Sequence, residues 1–344
     1  MFDPIKASKE IKDSYIDYIT TTFDMADTDY EREFRKELQT DGMVASGPFL
    51  DIGGSYETGH TLRELIQAQK ASILFENLEP VAEKERELKL DRPLYQHQET
   101  AMLKAGKGEN LVVTTGTGSG KTESFLLPII NHLLREQEAG TLYAGVRAII
   151  IYPMNALAND QMKRMRALFK NYPQICYGVY NGNTEHTQSK ALAEYHRTYH
   201  DEAGEPIDPA PNEIISREVM QERPPHILIT NYSMLEYMML RPKDDAVFSG
   251  AKLKFIVLDE AHIYKGATGM ETSLLMRRLR ARISEPDSVQ YILTSATLGG
   301  PDADGDILSF AEKLCGVAFQ RSGIIRSTEK RLAMEDFSDF APAL

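Results

Sequence analysis

Two clusters of residues in this 344-residue chain have the types and spacing to handle a nucleoside triphosphate. The first is TTGTGSGKTE, residues 114–123, which comes directly after the apolar run NLVVTT and opens a helical segment. Glycines at 116, 118 and 120 let the backbone curl so that its N–H groups face an anion, aided by the partial positive charge of a helix N-terminus. Thr117, Gly118, Ser119 and Gly120 would cradle the phosphates. Lys121 would neutralise the β- and γ-phosphates, and the Thr122 hydroxyl would ligate Mg²⁺. The strict pattern has Gly where this chain has Thr115, a mild departure. The bland alternative, a Gly-rich turn with a chance Lys-Thr, does not account for a strand before the loop and a helix after it.

The second cluster is FIVLDEAH, residues 255–262, an apolar run ending in two carboxylates and a histidine. Asp259 could hold Mg²⁺ through water, and Glu260 could orient or deprotonate an attacking water. A strand ending in Asp-Glu is weak evidence alone, because a solvated strand end looks the same. Paired with a phosphate loop on a neighbouring strand it becomes strong, since both then lie at the carboxyl edge of one sheet, where open α/β folds bind ligands.

Positioning these groups requires parallel strands. Short β-branched runs alternate with helical segments from Asp91 onward: 110–115, 147–153, 175–180, 226–231, 255–260 and 289–297. Such alternation predicts βαβ units and a buried, mostly parallel central sheet flanked by helices. The reading divides the chain into a helical and loop-rich accessory region (1–90), a nucleotide-binding domain (91–320) and a linker (321–344). Ile11, Tyr15 and Ile19 share a helical face in the first region, as do Phe34 and Leu38, and Thr61 is placed to cap a helix starting at Leu62. Residues 181–225 are polar and Pro-bearing and read as an insertion.

Composition sets limits. A net charge of −12 argues against a simple basic nucleic-acid binder without excluding contacts through main-chain N–H groups and a few local cations. No run of about 18 apolar residues is present, and Cys176 and Cys315 form no metal pattern. A reducing, cytoplasmic setting with no membrane partner is expected.

The order TGTGSGKT, YPMNALANDQ, ITNYSML, DEAH and TSAT resembles motifs I, Ia, Ib, II and III of superfamily 2 DEAD/DEAH-box helicases, in their N-terminal RecA-like motor domain. DEAHIYKGATGMETSLLMRRLR is similar to the pattern of the YprA/MrfA-like branch of large bacterial helicases. The resemblance implies a RecA-like P-loop NTPase fold, ATP and Mg as cofactors, and a nucleic-acid partner, with DNA favoured, 3′ to 5′ movement and a role in repair or phage defence. LYQHQ resembles the upstream adenine motif, so Gln98 would contact the base edge and Tyr95 would stack nearby. Pro153, Asn155, Ala156, Thr230 and Asn231 would line one strand's path, with Gly182 of YNGNT as a backbone contact. His262, Ser295 and Thr297 would relay nucleotide state to the strand side. Each of these polar residues could equally serve as a loop or helix cap.

Other features read more blandly. His196 and His200, four apart with His186 nearby, lack a completing ligand and read as exposed insertion histidines. Arg277, Arg278, Arg280 and Arg282 suit a solvated face or salt bridges as well as phosphate. Pro128 should cost α-helix hydrogen bonding where it falls. Only 47 residues come after TSAT, too few for a second RecA-like domain of about 150 residues. The reading therefore expects that domain on a longer chain or a partner protein. A helicase or translocase is the leading function, with a nucleotide-gated nucleic-acid clamp in a larger complex as the alternative. A GTPase or kinase fits least, because Gln98 and the strand-contact motifs would then have no purpose.

Overall fold

The structure is a computed structural model and describes residues 3–23, 25–40, 42–47, 55–78, 88–116, 118–201, 203–296 and 301–330. Two compact units divide between Gly54 and Ser55.

The first unit holds helices α1 (Pro4–Thr22) and α2 (Thr28–Gln39). Each starts at an aspartate that accepts main-chain N–H groups: Asp3 from Ile5 and Lys6, Asp27 from Asp29 and Tyr30. Such caps satisfy donors the first turn cannot pair internally. On α1 the buried residues are Ile16 and Thr20, whereas Ile11 and Tyr15 are 70% and 53% exposed. The stripe expected from spacing is therefore not the buried one, because periodicity identifies faces but not the face a neighbour covers.

In the second unit the order of elements is β1 (Thr58–Thr61), α3 (Leu62–Gln67), β2 (Pro93–Tyr95), α4 (Gln96–Ala105), β3 (Leu111–Thr114) and α5 (Lys121–Glu138). Then come β4 (Ala148–Ile151), α6 (Asn155–Phe169), β5 (Tyr177–Val179), α7 (Gln188–Thr198), β6 (Glu213–Ile214) and α8 (Arg217–Glu222). The rest are β7 (Ile227–Thr230), α9 (Tyr232–Leu240), α10 (Asp245–Phe248), β8 (Phe255–Leu258), α11 (Gly266–Arg282), β9 (Gln290–Ser295), α12 (Asp304–Cys315) and β10 (Ile324–Arg326). Eight strands form one sheet in the order β10-β3-β9-β8-β4-β7-β5-β6, with every pairing parallel. All six strands expected from the apolar runs are present.

Parallel strands must be covered on both faces, and alternation along each strand does this. Leu111, Val113, Ile150, Ile229 and Val257 pack with α4, α5 and α6. Val112, Ile149, Ile151, Leu228, Ile256 and Leu258 face α9, α11 and α12. Leu62, Leu65 and Phe75 join the first of these cores, so residues from Ser55 belong with the sheet and not with a separate region ending at residue 90. A capping box opens α3: Thr61 Oγ1 accepts from Glu64 N at 3.2 Å and Glu64 Oε2 accepts from Thr61 N at 2.7 Å.

Two short strands lie where the sequence reading expects loop or linker. Within the insertion, Glu213–Ile214 pairs with β5 and anchors there through Arg166, which donates to Glu213 in bidentate fashion. Within the expected linker, Ile324–Arg326 pairs with β3, the strand that leads to the phosphate loop. Runs of two and three residues are too short to show alternation, so only their pairing reveals them. Helix α5 continues through the buried Pro128 without a break.

Candidate nucleotide site and nucleic-acid interface

Strands β3 and β8 end at the same sheet edge with β9 between them, and the segment after each of the two builds the site. After β3 the chain turns through Gly118 (φ +79°) and Gly120 (φ +73°) into α5, whose first residues are Lys121 and Thr122. Left-handed backbone at both glycines is a conformation that a residue with a Cβ resists. At Gly120 the objection is also spatial, since a Cβ would lie 2.4 Å from Gln98 Nε2 and 3.0 Å from Glu123 Oε2. The loop is held from behind by α4: His97 Nε2 donates to Ser119 O at 2.9 Å, and Gln98 Nε2 donates to Gly120 O at 3.1 Å. Ser119 Oγ donates to Thr115 Oγ1 at 2.7 Å, which gives the departure from Gly at position 115 a structural use. Burial holds the His97 imidazole below its ordinary pKa, so the ring that supports the loop favours its neutral form.

After β8 the main chain of Asp259 continues the ladder by donating to Ile151 O at 3.0 Å. Glu260 then adopts φ +48°, one of two non-glycine residues with positive φ among the described residues. That rarely occupied conformation turns the glutamate towards the phosphate loop, where Glu260 Oε1 accepts from Lys121 Nζ at 3.0 Å. Asp259 Oδ1 accepts from the Thr294 hydroxyl, and Thr294 Oγ1 in turn accepts from Glu260 N at 3.3 Å. Burial, and to a lesser extent the neighbouring Glu260 charge, raises the Asp259 carboxyl above its usual range, against the Thr294 bond and the Lys121 charge. His262 Nδ1 lies 3.1 Å from Ser295 Oγ and 3.3 Å from Glu260 Oε2, so one imidazole touches both the acidic motif and the end of β9.

The residue set fits a magnesium nucleotide. Two glycines in left-handed turns precede a helix N-terminus, a lysine and two carboxylates converge, and the hard oxygen donors Thr122 and Asp259 suit Mg²⁺. Among the described residues no cluster of three or more His, Cys, Asp or Glu side chains offers a separate metal site.

The expected strand-contact residues gather along the ends of β4, β5 and β7. Pro153 is half-buried and Ala156 exposed at the start of α6. Asn231 Nδ2 donates to Asn155 Oδ1 at 2.8 Å, while Asn231 Oδ1 caps α9 by accepting from Met234 N at 2.7 Å. The buried Thr230 hydroxyl donates to Tyr180 O at 2.7 Å, so it locks β7 to the end of β5 and does not project outward. Gly182 has no atom within 4 Å of a notional Cβ, leaving its face open, and its carbonyl accepts from Arg217 at 3.4 Å. Tyr95 stacks on His97 with ring centroids 5.5 Å apart. Gln98 is buried, with Oε1 accepting from Tyr95 N and Nε2 engaged by the loop. Thr117 and Thr297 lie outside the described residues.

Sequence reasoning missed several participants. Thr294 opens TSAT, where the sequence assigns roles only to Ser295 and Thr297, yet it carries the hydrogen bond to Asp259. His97 is visible in the sequence only as part of LYQHQ. Tyr56 has no spacing signal, and it contacts Tyr95 and His97 edge-on at 5.6 and 5.9 Å. The arginine cluster of α11 is used internally: Arg278 pairs with Glu236, Arg280 with Asp287, Arg282 with Asp245, and Arg277 bonds Lys313 O. His196 pairs with Asp208 at 2.7 Å. No helix among the described residues is long and apolar enough to cross a membrane.

A parallel sheet with a phosphate loop and an acidic pair at its carboxyl edge defines a phosphate-loop NTPase domain of RecA-like architecture. The DEAD/DEAH box helicase family model matches residues 95–203 and 204–304, and the chain belongs to that family. Druantia protein DruE of Escherichia coli (strain UMEA 4076-1) is 33% identical over 90% of this chain and 21% of its own length. The helicase YprA of Bacillus subtilis is 31% identical over 63% of this chain and 24% of its own. ATP-dependent helicase HRQ1 of Saccharomyces cerevisiae is 29% identical over 60% of this chain and 16% of its own. The chain thus spans a quarter or less of the length of these relatives. Among solved structures, the DUF1998 helicase MrfA superposes with TM-score 0.52 at 25% identity, covering 74% of this chain and 32% of that one. The DEAD-box helicase Mss116 shares the fold with TM-score 0.55 at 17% identity, over 79% of this chain and 46% of that one.

Proposed function

We propose that this chain is the first motor domain of an ATP- and Mg-dependent helicase or translocase that acts on DNA, in a cytoplasmic setting. The observation that carries this reading is the meeting of Lys121, Glu260 and His262 at one sheet edge, with His262 also in contact with Ser295 at the end of β9. The candidate nucleotide site would thereby be linked to the carboxyl end of β9.

Bound magnesium would neutralise charge on the β- and γ-phosphate oxygens. Asp259, with Thr122, would hold it, and Thr294 fixes the Asp259 carboxylate in direction. Lys121 exchanges its Glu260 partner for phosphate oxygens, which frees Glu260 to take the water that attacks the γ-phosphoryl. His262, in contact with both Glu260 and Ser295, would pass a shift of the glutamate to the end of β9. The open face at Gly182 and the Asn155–Asn231 pair would grip one strand's backbone. DNA is favoured because the helicase MrfA has been solved bound to DNA and AMPPNP. A second RecA-like domain, in the same longer chain or a partner, would supply the arginine that stabilises the transferring group, worth about 10³–10⁵ in rate.

Strand displacement by the intact protein, with Lys121 and with Lys121→Ala, tests this. Unwinding should disappear with the lysine. Equal unwinding by both defeats the motor reading, and ATP-dependent binding without unwinding would favour a clamp.

A further inference from the structure

Tyr56 lies outside every motif of the chain, yet it stands at the mouth of the phosphate loop. Its hydroxyl is so near Gly116 that a Cβ there would lie 2.9 Å from it. Its ring abuts Tyr95 and His97, and His97 holds Ser119 O. One tyrosine therefore stands with its hydroxyl beside the first glycine of the loop and reaches the loop's later part through a single intermediary.

The backbone around Tyr56 is fixed on two sides. Glu57 O accepts from Gln96 N at 2.9 Å, at the start of α4. On the other side Tyr56 faces Glu329 in an antiparallel bridge: Glu57 N donates to Thr328 O at 2.8 Å and Lys330 N donates to Ser55 O at 2.7 Å. Residues 328–330 come after β10, the strand paired with β3 immediately before the loop. The short strap 55–57 thus lies between the helix that supports the loop and the segment by which the chain leaves the sheet.

We propose that Tyr56 is a positioning residue of the nucleotide site, holding Gly116 in its nucleotide-ready place, and that the 55–57/328–330 bridge sets how firmly it does so. The proposal rests on the ATPase reading above. Movement of residues 328–330 pulls on Ser55 and Glu57, withdraws the Tyr56 hydroxyl from Gly116 and loosens the loop, which gives that segment a hold on ATP affinity. Packing of a ring among two aromatic neighbours is worth enough to change affinity by on the order of fivefold.

The test measures ATP turnover and fluorescent ATP-analogue binding in the intact protein, with thermal unfolding as a check on folding. Tyr56→Ala should raise KM for ATP about fivefold with kcat changed less than about twofold, and Tyr56→Phe, which keeps the ring packing but loses the hydroxyl beside Gly116, should give a smaller rise in the same direction. Lys330→Pro removes the N–H donated to Ser55 without touching the site, and should reproduce the KM rise. An unchanged KM in folded Tyr56→Ala or in folded Lys330→Pro overturns the proposal. Lys121→Ala is run alongside: if turnover survives it, the ATPase reading itself has failed, an outcome separate from the first.

Discussion

Glu260 Oε1 accepts a hydrogen bond from Lys121 Nζ at 3.0 Å across 139 residues of sequence. The pair is partly shielded from water, and its glutamate is held there by a left-handed backbone that few non-glycine residues adopt. It joins the two motifs of the candidate nucleotide site. In the proposed mechanism this lysine, already seated beside the glutamate assigned to the attacking water, would only have to change partners when a triphosphate arrives.

Glu260→Gln should therefore separate binding from hydrolysis. The amide removes the anion that competes with phosphate for Lys121, so affinity for Mg·ATP should hold or increase. Hydrolysis should fall by on the order of 10²–10⁴, the usual contribution of a positioned general base. Single-turnover hydrolysis alongside equilibrium binding reads both effects, and unimpaired hydrolysis would remove Glu260 from its proposed role.

Asp259 yields a pH-dependent expectation. Its folded pKa is raised above the ordinary 3.8, chiefly by burial, so within the window from 3.8 up to the raised value the native state binds more protons than the unfolded one. Stability contributed by this group is thus present at low pH and declines as pH rises through that window. Asp259→Asn should abolish the decline, leave the thermal midpoint at pH 7 unchanged or higher, and eliminate Mg-dependent hydrolysis. Thermal unfolding measured as a function of pH checks the sign; a marked loss of stability at pH 7 would contradict it.

Two glycines in similar backbone conformations allow a controlled comparison. Gly120 (φ +73°) is crowded by Gln98 and Glu123, whereas Gly140 (φ +66°) has nothing within 4 Å of a notional Cβ. Alanine at 140 should cost only the left-handed penalty of about 1–2 kcal/mol. At 120 the same penalty is joined by a collision with the residue that braces the phosphate loop, so nucleotide binding should be lost as well. Melting temperature and ATP-analogue titration, measured on both variants, distinguish the two effects.

Asn231 has two duties that substitution can divide. Alanine removes the cap on α9 and the donation to Asn155, costing about 1 kcal/mol of stability. Aspartate keeps the cap acceptor but sets an oxygen against Asn155 Oδ1. Asn231→Asp is expected to be the more stable of the two and still to bind single-stranded DNA more weakly than the parent. Fluorescence anisotropy with a labelled oligonucleotide measures this; full binding by both variants would exclude the asparagine pair from the strand path.

Much of the candidate site is legible in the sequence, and the reason is local. A Gly-rich turn between an apolar run and a helix, and an apolar strand ending in Asp-Glu, are short-range patterns whose chemistry comes from residue type. Lys121, Asp259 and Glu260 can therefore be named from them, and the parallel sheet anticipated from its six apolar runs. Relations between distant segments are beyond such patterns. That Thr294 serves Asp259, that Gln98 and His97 brace the loop, that the α11 arginines are consumed by neighbours, and that Glu213–Ile214 and Ile324–Arg326 complete the sheet all depend on which strands lie side by side. Composition and spacing decide what a segment is able to do, because those are properties of a few consecutive side chains. Only tertiary packing decides which partner each polar group finds, because that choice is made by the strand order of the sheet.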